Sequence, residues 1–127
     1  MWLHREPKVN VPRTILIVDG NSNNRRSTAR LVESLGYQPL QTTSSTDAIK
    51  QLEQQDPECV LLGFDLEDAS GLEALTQIRE MDPDLAVIML AADLWDNRVA
   101  DAMRKGAVAY LAQPFGVNDL REVLGRR

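Results

Sequence analysis

Four short apolar runs recur along the chain, and none of them contains alternating polar residues. They span residues 15–18, 59–62, 86–90 and 109–111. A strand that is apolar on both faces is typical of a parallel sheet, because crossover helices cover both sides of such a sheet. The pattern predicts an α/β fold and argues against a sheet that has one face in water.

Segments with the apolar spacing of helices separate these runs. The five predicted helices are marked by Leu31, Val32 and Leu35; by Ala48, Ile49 and Leu52; by Leu72, Leu75 and Ile78; by Val99 and Met103; and by Val117, Leu120 and Leu124. Gly36 and Gly106 stand where the first and fourth helices should stop, and Ser44 or Ser45 is suited to cap the second. Strands and helices therefore alternate five times.

The weakest predicted strand lies near residues 38–42 and contains Pro39. Because proline cannot donate a ladder hydrogen bond, this strand should lie at an edge of the sheet. We therefore predict a doubly wound five-stranded parallel sheet of order 2-1-3-4-5 with five helices. In that order the ligand crevice lies at the carboxyl ends of strands 1 and 3, which here are Asp19-Gly20 and residues 63–65.

The length and composition fit a single globular domain. The chain has 127 residues, of which 43% are hydrophobic and 26% charged, so it can bury one core. Residues 1–13 contain Pro7 and Pro12 without periodicity, and we expect a flexible leader there, followed by one domain over residues 14–127. The ending at residues 125–127 is consistent with an effector domain that follows in a longer protein.

Charge and residue usage exclude several classes of function. The net charge is -5, which disfavours direct binding to nucleic acid or to an anionic membrane. The single cysteine, Cys59, and the single histidine, His4, cannot build a disulfide, a metal cluster or a histidine-based catalytic dyad. No apolar run approaches a membrane span and no signal peptide is recognisable, so we expect a cytoplasmic protein without a cofactor.

The order and spacing of several motifs resemble the receiver domains of two-component response regulators, the CheY-like family. The matching motifs are residues 15–19 with Arg25, residues 71–75 with 78–79, residues 87–90, residues 106–107, and residues 110–111 with 114–115. The resemblance covers residues 14–124 and implies a flavodoxin-like fold and a signalling module that is not an enzyme. It also implies a cis peptide bond between Gln113 and Pro114.

In that family an aspartate after the third strand accepts a phosphoryl group. Two acids after the first strand hold Mg²⁺, and a hydroxyl and a lysine follow the fourth and fifth strands. The resemblance places the acid pair at Asp19 and Gly20, the acceptor at Gly63, the hydroxyl at Ala91 and the lysine at Gln113. Four of these five functional groups are missing, so we expect a degenerate receiver, and Asp19 with the Asp65 carbonyl is a poor remnant of a metal site.

An alternative keeps phosphorylation by moving the acceptor to Asp65 or Asp68. This is disfavoured because a residue two positions farther along lies roughly 6 Å beyond the strand end and still lacks the lysine and the hydroxyl. We interpret the acidic cluster of Asp65, Glu67 and Asp68 as a solvated loop. Arg25, Arg26 and Arg30 are interpreted in the same way, as the solvent face of the first helix.

Two functional hypotheses follow from the resemblance. The first is a phosphorylation-independent module that binds a protein partner or forms a homodimer through the fourth helix, fifth strand and fifth helix, with Tyr110 in one orientation. The charged residues of this surface are Asp101, Arg104, Lys105, Asp119, Arg121 and Glu122. Trp95, which we expect at the start of the fourth helix, either anchors this interface or packs on the domain's own core. The second hypothesis is a regulatory domain that binds a small ligand where Gly20, Gly63 and Ala91 converge.

Overall fold

The computed structural model describes residues 13–126. Except for Arg13, the predicted leader lies outside the described residues. Ten elements alternate along the chain: β1 (Thr14–Val18), α1 (Ser22–Ser34), β2 (Gln38–Thr42), α2 (Ser45–Gln54), β3 (Cys59–Gly63), α3 (Gly71–Met81), β4 (Val87–Ala91), α4 (Val99–Arg104), β5 (Ala109–Ala112) and α5 (Val117–Arg126).

The five strands form one parallel sheet of order β2-β1-β3-β4-β5, which confirms the predicted fold. The strand that contains Pro39 lies at the edge, as its missing N–H requires. Val18 pairs with Leu62, and Gly63 pairs with Leu90. The carboxyl ends of β1, β3 and β4 therefore lie side by side at one edge of the sheet.

Both faces of the sheet are buried, because successive strand residues point to opposite sides. On one face, Leu16 and Leu62 pack with the apolar residues of α2 and α3. On the other face, Ile17 and Leu61 pack with those of α1 and α5. All four of these side chains are fully buried, and the burial of each contributes about 1.5–3 kcal/mol to the stability of the fold. The packed sheet therefore fixes the positions at which the loops at its edge begin.

Side chains and glycines define most of the helix ends. Asn21 and Ser44 cap α1 and α2 by accepting hydrogen bonds from backbone N–H groups. Ser70 and Glu73 form a reciprocal capping box at the start of α3. Gly36, which follows α1, has φ of +93°, a left-handed conformation that glycine adopts without strain.

Helix α4 is shorter than the sequence pattern indicates. It has only six residues, and Trp95 lies in the loop before it. The hypothesis that Trp95 packs on the core is wrong, because the residue is 84% exposed. The reason is local: the Asp93 side chain accepts a hydrogen bond from the Trp95 N–H at 2.8 Å, which stabilises a turn in place of a helical start.

Candidate functional site

An open crevice of about 410 Å³ lies at the carboxyl edge of the sheet. Its lining comes from the ends of β1, β3 and β4 and from the loops that follow them. The polar and charged side chains that line it are Asp19, Asn21, Asn24, Asp65, Glu67, Arg98 and Gln113. The structure therefore brings together most of the predicted site residues and adds Arg98.

Asp19 is the buried carboxylate of this crevice, with 6% of its surface exposed. Its Oδ1 accepts a hydrogen bond from the Asn21 N–H at 2.9 Å, and its backbone carbonyl accepts one from Arg25 at 3.2 Å. Burial raises the pKa of the Asp19 carboxyl, while the hydrogen bonds from Asn21 and Gln113 lower it and offset only part of the effect. Ionisation of the Asp19 side chain therefore lowers the free energy of unfolding of the domain.

Asp19→Asn is expected to stabilise the domain at pH 7, raising the melting temperature by a few degrees. A raised folded-state pKa means that ionisation of Asp19 penalises the folded state above that pKa. Below the ordinary value of 3.8 the carboxyl is neutral in both states, so the gain should vanish there. Thermal melts from pH 3 to 8 test this, with the exposed Asp56→Asn as control. An equal gain at every pH would contradict the assignment.

Gln113 stands where the family places its lysine, and its neutral amide is part of a hydrogen-bonded chain. Its Oε1 accepts a hydrogen bond from Asn24 Nδ2 at 3.2 Å, and the amide also contacts Asp19. The peptide bond between Gln113 and Pro114 is cis, as the resemblance implied. Gln113 therefore faces the crevice but brings no positive charge to it.

Gly20 and Gly63 leave little room for the acidic side chains of the family pattern. A Cβ atom on Gly20 would lie 2.6 Å from the Asp65 carbonyl oxygen, whereas one on Gly63 would lie 3.3 Å from Asp19 Oδ1. The Asp65 carbonyl accepts a hydrogen bond from the Gly20 N–H at 3.1 Å. The residues at this edge do not fit a Mg²⁺ site. Gly20 offers no side-chain oxygen, and the Asp65 carbonyl oxygen already accepts the hydrogen bond from the Gly20 N–H.

The acidic loop after β3 is exposed, as predicted, but each carboxylate has a partner. Glu67 accepts a hydrogen bond from the Thr43 hydroxyl at 2.6 Å. Asp68 accepts bonds from the N–H groups of Ser45 and Thr46, and these bonds lower the pKa of its carboxyl. These two residues thus tie the loop after β3 to the segment at the start of α2.

Arg98 is the crevice residue that the sequence reasoning missed. Its Nη1 lies 3.2 Å from Asp65 Oδ1, and its guanidinium carbon lies 4.5 Å from the centre of the Phe64 ring. The crevice therefore contains a cation although the family lysine is absent. The only signal in the sequence is the short charged segment of residues 96–98, which resembles an ordinary solvent-exposed turn.

Ala91 does not line the crevice, contrary to the prediction that it converges there with the two glycines. It is fully buried as the last residue of β4, and its neighbours Leu90 and Ala92 form that wall. The side chains of successive strand residues point in opposite directions, so Leu90 and Ala92 line the crevice whereas Ala91 points away from it. Any ligand pocket at this edge is therefore shaped by Gly20 and Gly63 and not by Ala91.

A second depression, here named the Trp95 groove, lies between the loop before α4, β5 and α5. It has a volume of about 650 Å³. Its walls include the apolar residues Leu94, Trp95, Tyr110, Phe115 and Val123 and the acidic residues Asp93, Asp119 and Glu122. Leu94 is 71% exposed and Tyr110 is 42% exposed. The groove therefore exposes apolar side chains on the side formed by α4, β5 and α5, where we predict a protein interface.

The predicted charged residues of this side largely pair within their own helices. Arg104 forms an ion pair with Asp101 within α4. Asp119 accepts a hydrogen bond from the Gly116 N–H at 2.9 Å, and Arg121 donates one to the Asn118 side chain at 2.6 Å. Lys105 is exposed at the end of α4. Four of the six predicted charged residues therefore already have a local hydrogen-bond partner within the domain.

Neither a cluster of metal-ligating side chains nor a membrane-spanning helix is found within residues 13–126. No set of three or more His, Cys, Asp or Glu side chains is arranged to hold a metal ion. In the same part of the chain, every helix is too short or too polar to cross a membrane.

Residues 15–125 match the response regulator receiver domain family. The chain belongs to this family. The chemotaxis protein CheY of Listeria monocytogenes is 31% identical to this receiver domain over 111 residues, which cover 87% of the chain and 93% of that protein. The phosphate regulon regulator PhoB of Pseudomonas aeruginosa is 30% identical over 87% of the chain, and the receiver domain spans about half of it, 49%.

Solved receiver structures share the fold of this receiver domain. The receiver domain of the sensor histidine kinase PA1611 from Pseudomonas aeruginosa superposes with a TM-score of 0.83 at 25% identity, covering 91% of this chain and 97% of that one. That structure contains a magnesium ion coordinated in its active-site cleft. The receiver domain of NtrX from Brucella abortus gives a TM-score of 0.83 at 25% identity, with 88% and 95% covered. The domain is therefore a component of two-component signalling.

Proposed function

We propose that this receiver domain works without phosphorylation, as a protein interaction or dimerisation module in bacterial signal transduction. The observation that carries the proposal is Gly63 at the end of β3. A glycine has no side chain to accept a phosphoryl group, and the carbonyl of residue 65 lies against Gly20 where a second acid is expected. The chain has the receiver scaffold but lacks the groups that would transfer and bind the phosphoryl group.

The Trp95 groove is the surface we assign to this interaction. Large exposed apolar side chains are uncommon on a monomer and favour a contact surface when they are contiguous. Leu94 and Trp95 project beside a depression lined by Tyr110 and Phe115. A tryptophan at the edge of such a depression is the type of residue that dominates binding energy at interfaces.

The charges beside the groove contribute less to this contact. Exposed ion pairs contribute about 0–1 kcal/mol, and Arg104 already pairs with Asp101 on its own helix. We therefore assign the affinity to the apolar anchors and only orientation to the charges. Such a contact weakens modestly when salt is added.

Trp95→Ala is expected to weaken self-association or partner binding by at least about 30-fold, the effect of losing a hot-spot residue of about 2 kcal/mol. Arg104→Glu should change the affinity by about fivefold or less. Sedimentation with and without a small phosphodonor measures both, and Met81→Ala, an exposed apolar residue on α3, is the matched control. A contact that neither Trp95→Ala nor Arg104→Glu alters would place the interaction on another surface.

A small-ligand regulator is the second candidate, and the crevice volume of about 410 Å³ favours it. Its lining combines the Asp19 carboxylate, the Asn24 and Gln113 amides and the Arg98 guanidinium, which suits a small polar ligand. A thermal-shift screen against a metabolite library separates the two functions. A shift with a metabolite supports the ligand regulator, whereas a shift only with a protein partner supports the interaction module.

A further inference from the structure

The loop between β4 and α4 is closed by one buried carboxylate, that of Asp96, whose side chain is 3% exposed. Its Oδ2 accepts hydrogen bonds from the Ala92 N–H at 3.0 Å and from Arg98 Nη2 at 2.9 Å. Its Oδ1 accepts bonds from the Arg98 N–H at 3.2 Å and from Arg98 Nε at 2.9 Å. Both ends of the loop are therefore bound to the same side chain.

Trp95 lies inside this closed loop. Its N–H donates to Asp93 Oδ1 at 2.8 Å, and the Asp96 N–H bonds to the Asp93 carbonyl at 3.4 Å. The backbone that presents the exposed indole is thus held from both sides. The contacts that hold Asp96 and Arg98 in place therefore also hold the backbone of Trp95 in place.

Arg98 extends from this loop to the end of the neighbouring strand. Its guanidinium packs on the ring of Phe64, which is buried, and its Nη1 contacts both carboxylate oxygens of Asp65, at 3.2 and 3.3 Å. A single side chain therefore joins the loop after β3 to the loop before α4. The hydrogen bonds of Asp96 alone are enough to close the loop before α4. The additional contacts that Arg98 makes with Phe64 and Asp65 therefore require another explanation.

We propose that Arg98 is a positioning residue that holds the Trp95 loop in one conformation, without a phosphoryl group or other ligand at the end of β3. This inference rests on the proposed function, because it explains how an interaction surface is kept ready when Gly63 accepts nothing. The clamp consists of Asp96, Arg98 and Phe64, with Asp65 as an outer contact.

The contacts of the clamp differ in strength. The Asp65 side chain is 87% exposed, so water screens its pairing with Arg98. The pairing with Asp96 is bidentate and shielded, which strengthens charge-assisted hydrogen bonds. These hydrogen bonds hold the pKa of the Asp96 carboxyl far below its usual range and raise the pKa of Arg98. Both groups therefore stay charged at physiological pH.

The test follows the motion of the indole itself. The sequence has two tryptophans, Trp2 and Trp95, so Trp2→Phe leaves Trp95 as the single reporter. In this background, Arg98→Met keeps an unbranched apolar stem and removes the guanidinium. The fast local component of the time-resolved fluorescence anisotropy of Trp95 is expected to at least double in Arg98→Met and to change by less than a fifth in Asp65→Asn.

Arg104→Met is the matched control, because Arg104 is an arginine on α4 with an exposed ion pair, and it should leave the anisotropy unchanged. Arg98→Lys keeps the charge but loses the planar two-armed geometry, so it should loosen the loop as well, and it replaces Arg98→Met if that variant does not melt cooperatively. An unchanged fast component in the folded Arg98 variant would overturn the proposal. A phosphoryl adduct found by mass spectrometry would instead overturn the proposed function, whatever the anisotropy shows.

Discussion

Incubation with a small phosphodonor and Mg²⁺ is expected to leave the mass of the wild-type domain unchanged, and Gly63→Asp alone should give less than about a tenth of stoichiometric phosphorylation. The new Cβ would lie 3.3 Å from Asp19 Oδ1, so two carboxylates would share a crevice without a metal to neutralise them. Gln113 supplies no positive charge to the phosphoryl group. Preorganised charge of this kind is typically the largest contribution to such a transfer.

The matched comparison is the triple variant Gly20→Asp, Gly63→Asp and Gln113→Lys, and intact mass spectrometry is the measurement. Restoring position 20 requires the loop to move, because a Cβ there meets the Asp65 carbonyl oxygen at 2.6 Å. We expect the triple variant to gain an adduct only if its melting temperature also falls. Stoichiometric phosphorylation of Gly63→Asp alone, or of Asp65 in the wild type, would refute the loss of the reaction.

Gly71→Ala is expected to destabilise the domain by about 3 kcal/mol or more. A Cβ on Gly71 would lie 2.1 Å from the Gly63 carbonyl oxygen and 2.8 Å from the Phe64 Cα. Both contacts are with backbone, so no side chain can rotate away to relieve them. The first residue of α3 must therefore be glycine for the helix to begin directly against the end of β3.

Gly125→Ala is the control for this substitution. Nothing lies within 4 Å of a Cβ on Gly125, and alanine favours a helix over glycine by up to about 1 kcal/mol, so this variant should be equal to the wild type or slightly more stable. Urea unfolding measures both changes. A Gly71→Ala variant as stable as Gly125→Ala would show that the junction of β3 and α3 is looser than the structure indicates.

The fold was predictable because its signal comes from burial. Strands covered on both faces need continuous apolar residues, and the runs that begin at Ile15 and Cys59 lie within a residue of the observed β1 and β3. Helix α4 was predicted less well, since the carboxylates of Asp93 and Asp96 bond to backbone N–H groups and replace its first turn. Such local competition depends on side-chain geometry that hydrophobic spacing does not report.

The site was predictable in part, for a different reason. The family pattern located Asp19, Gly63 and Gln113 because their places follow from the ends of strands, and the structure brings all three to the crevice. The pattern could not locate Arg98, since none of the motifs that carry the resemblance includes the segment before α4. Its partner Asp65 is 33 residues away in the sequence, and only the fold brings the two together.

The hydrogen bond between the Gly20 N–H and the Asp65 carbonyl has a consequence for the evolution of the domain. With the two backbones in contact, every side chain larger than hydrogen at position 20 must push the loop outward. A mutation that returned an acid to this position would lower stability before it restored any chemistry. Selection that acts through stability therefore opposes an acid at this position, and Gly20 keeps the loop after β3 in backbone contact with the end of β1.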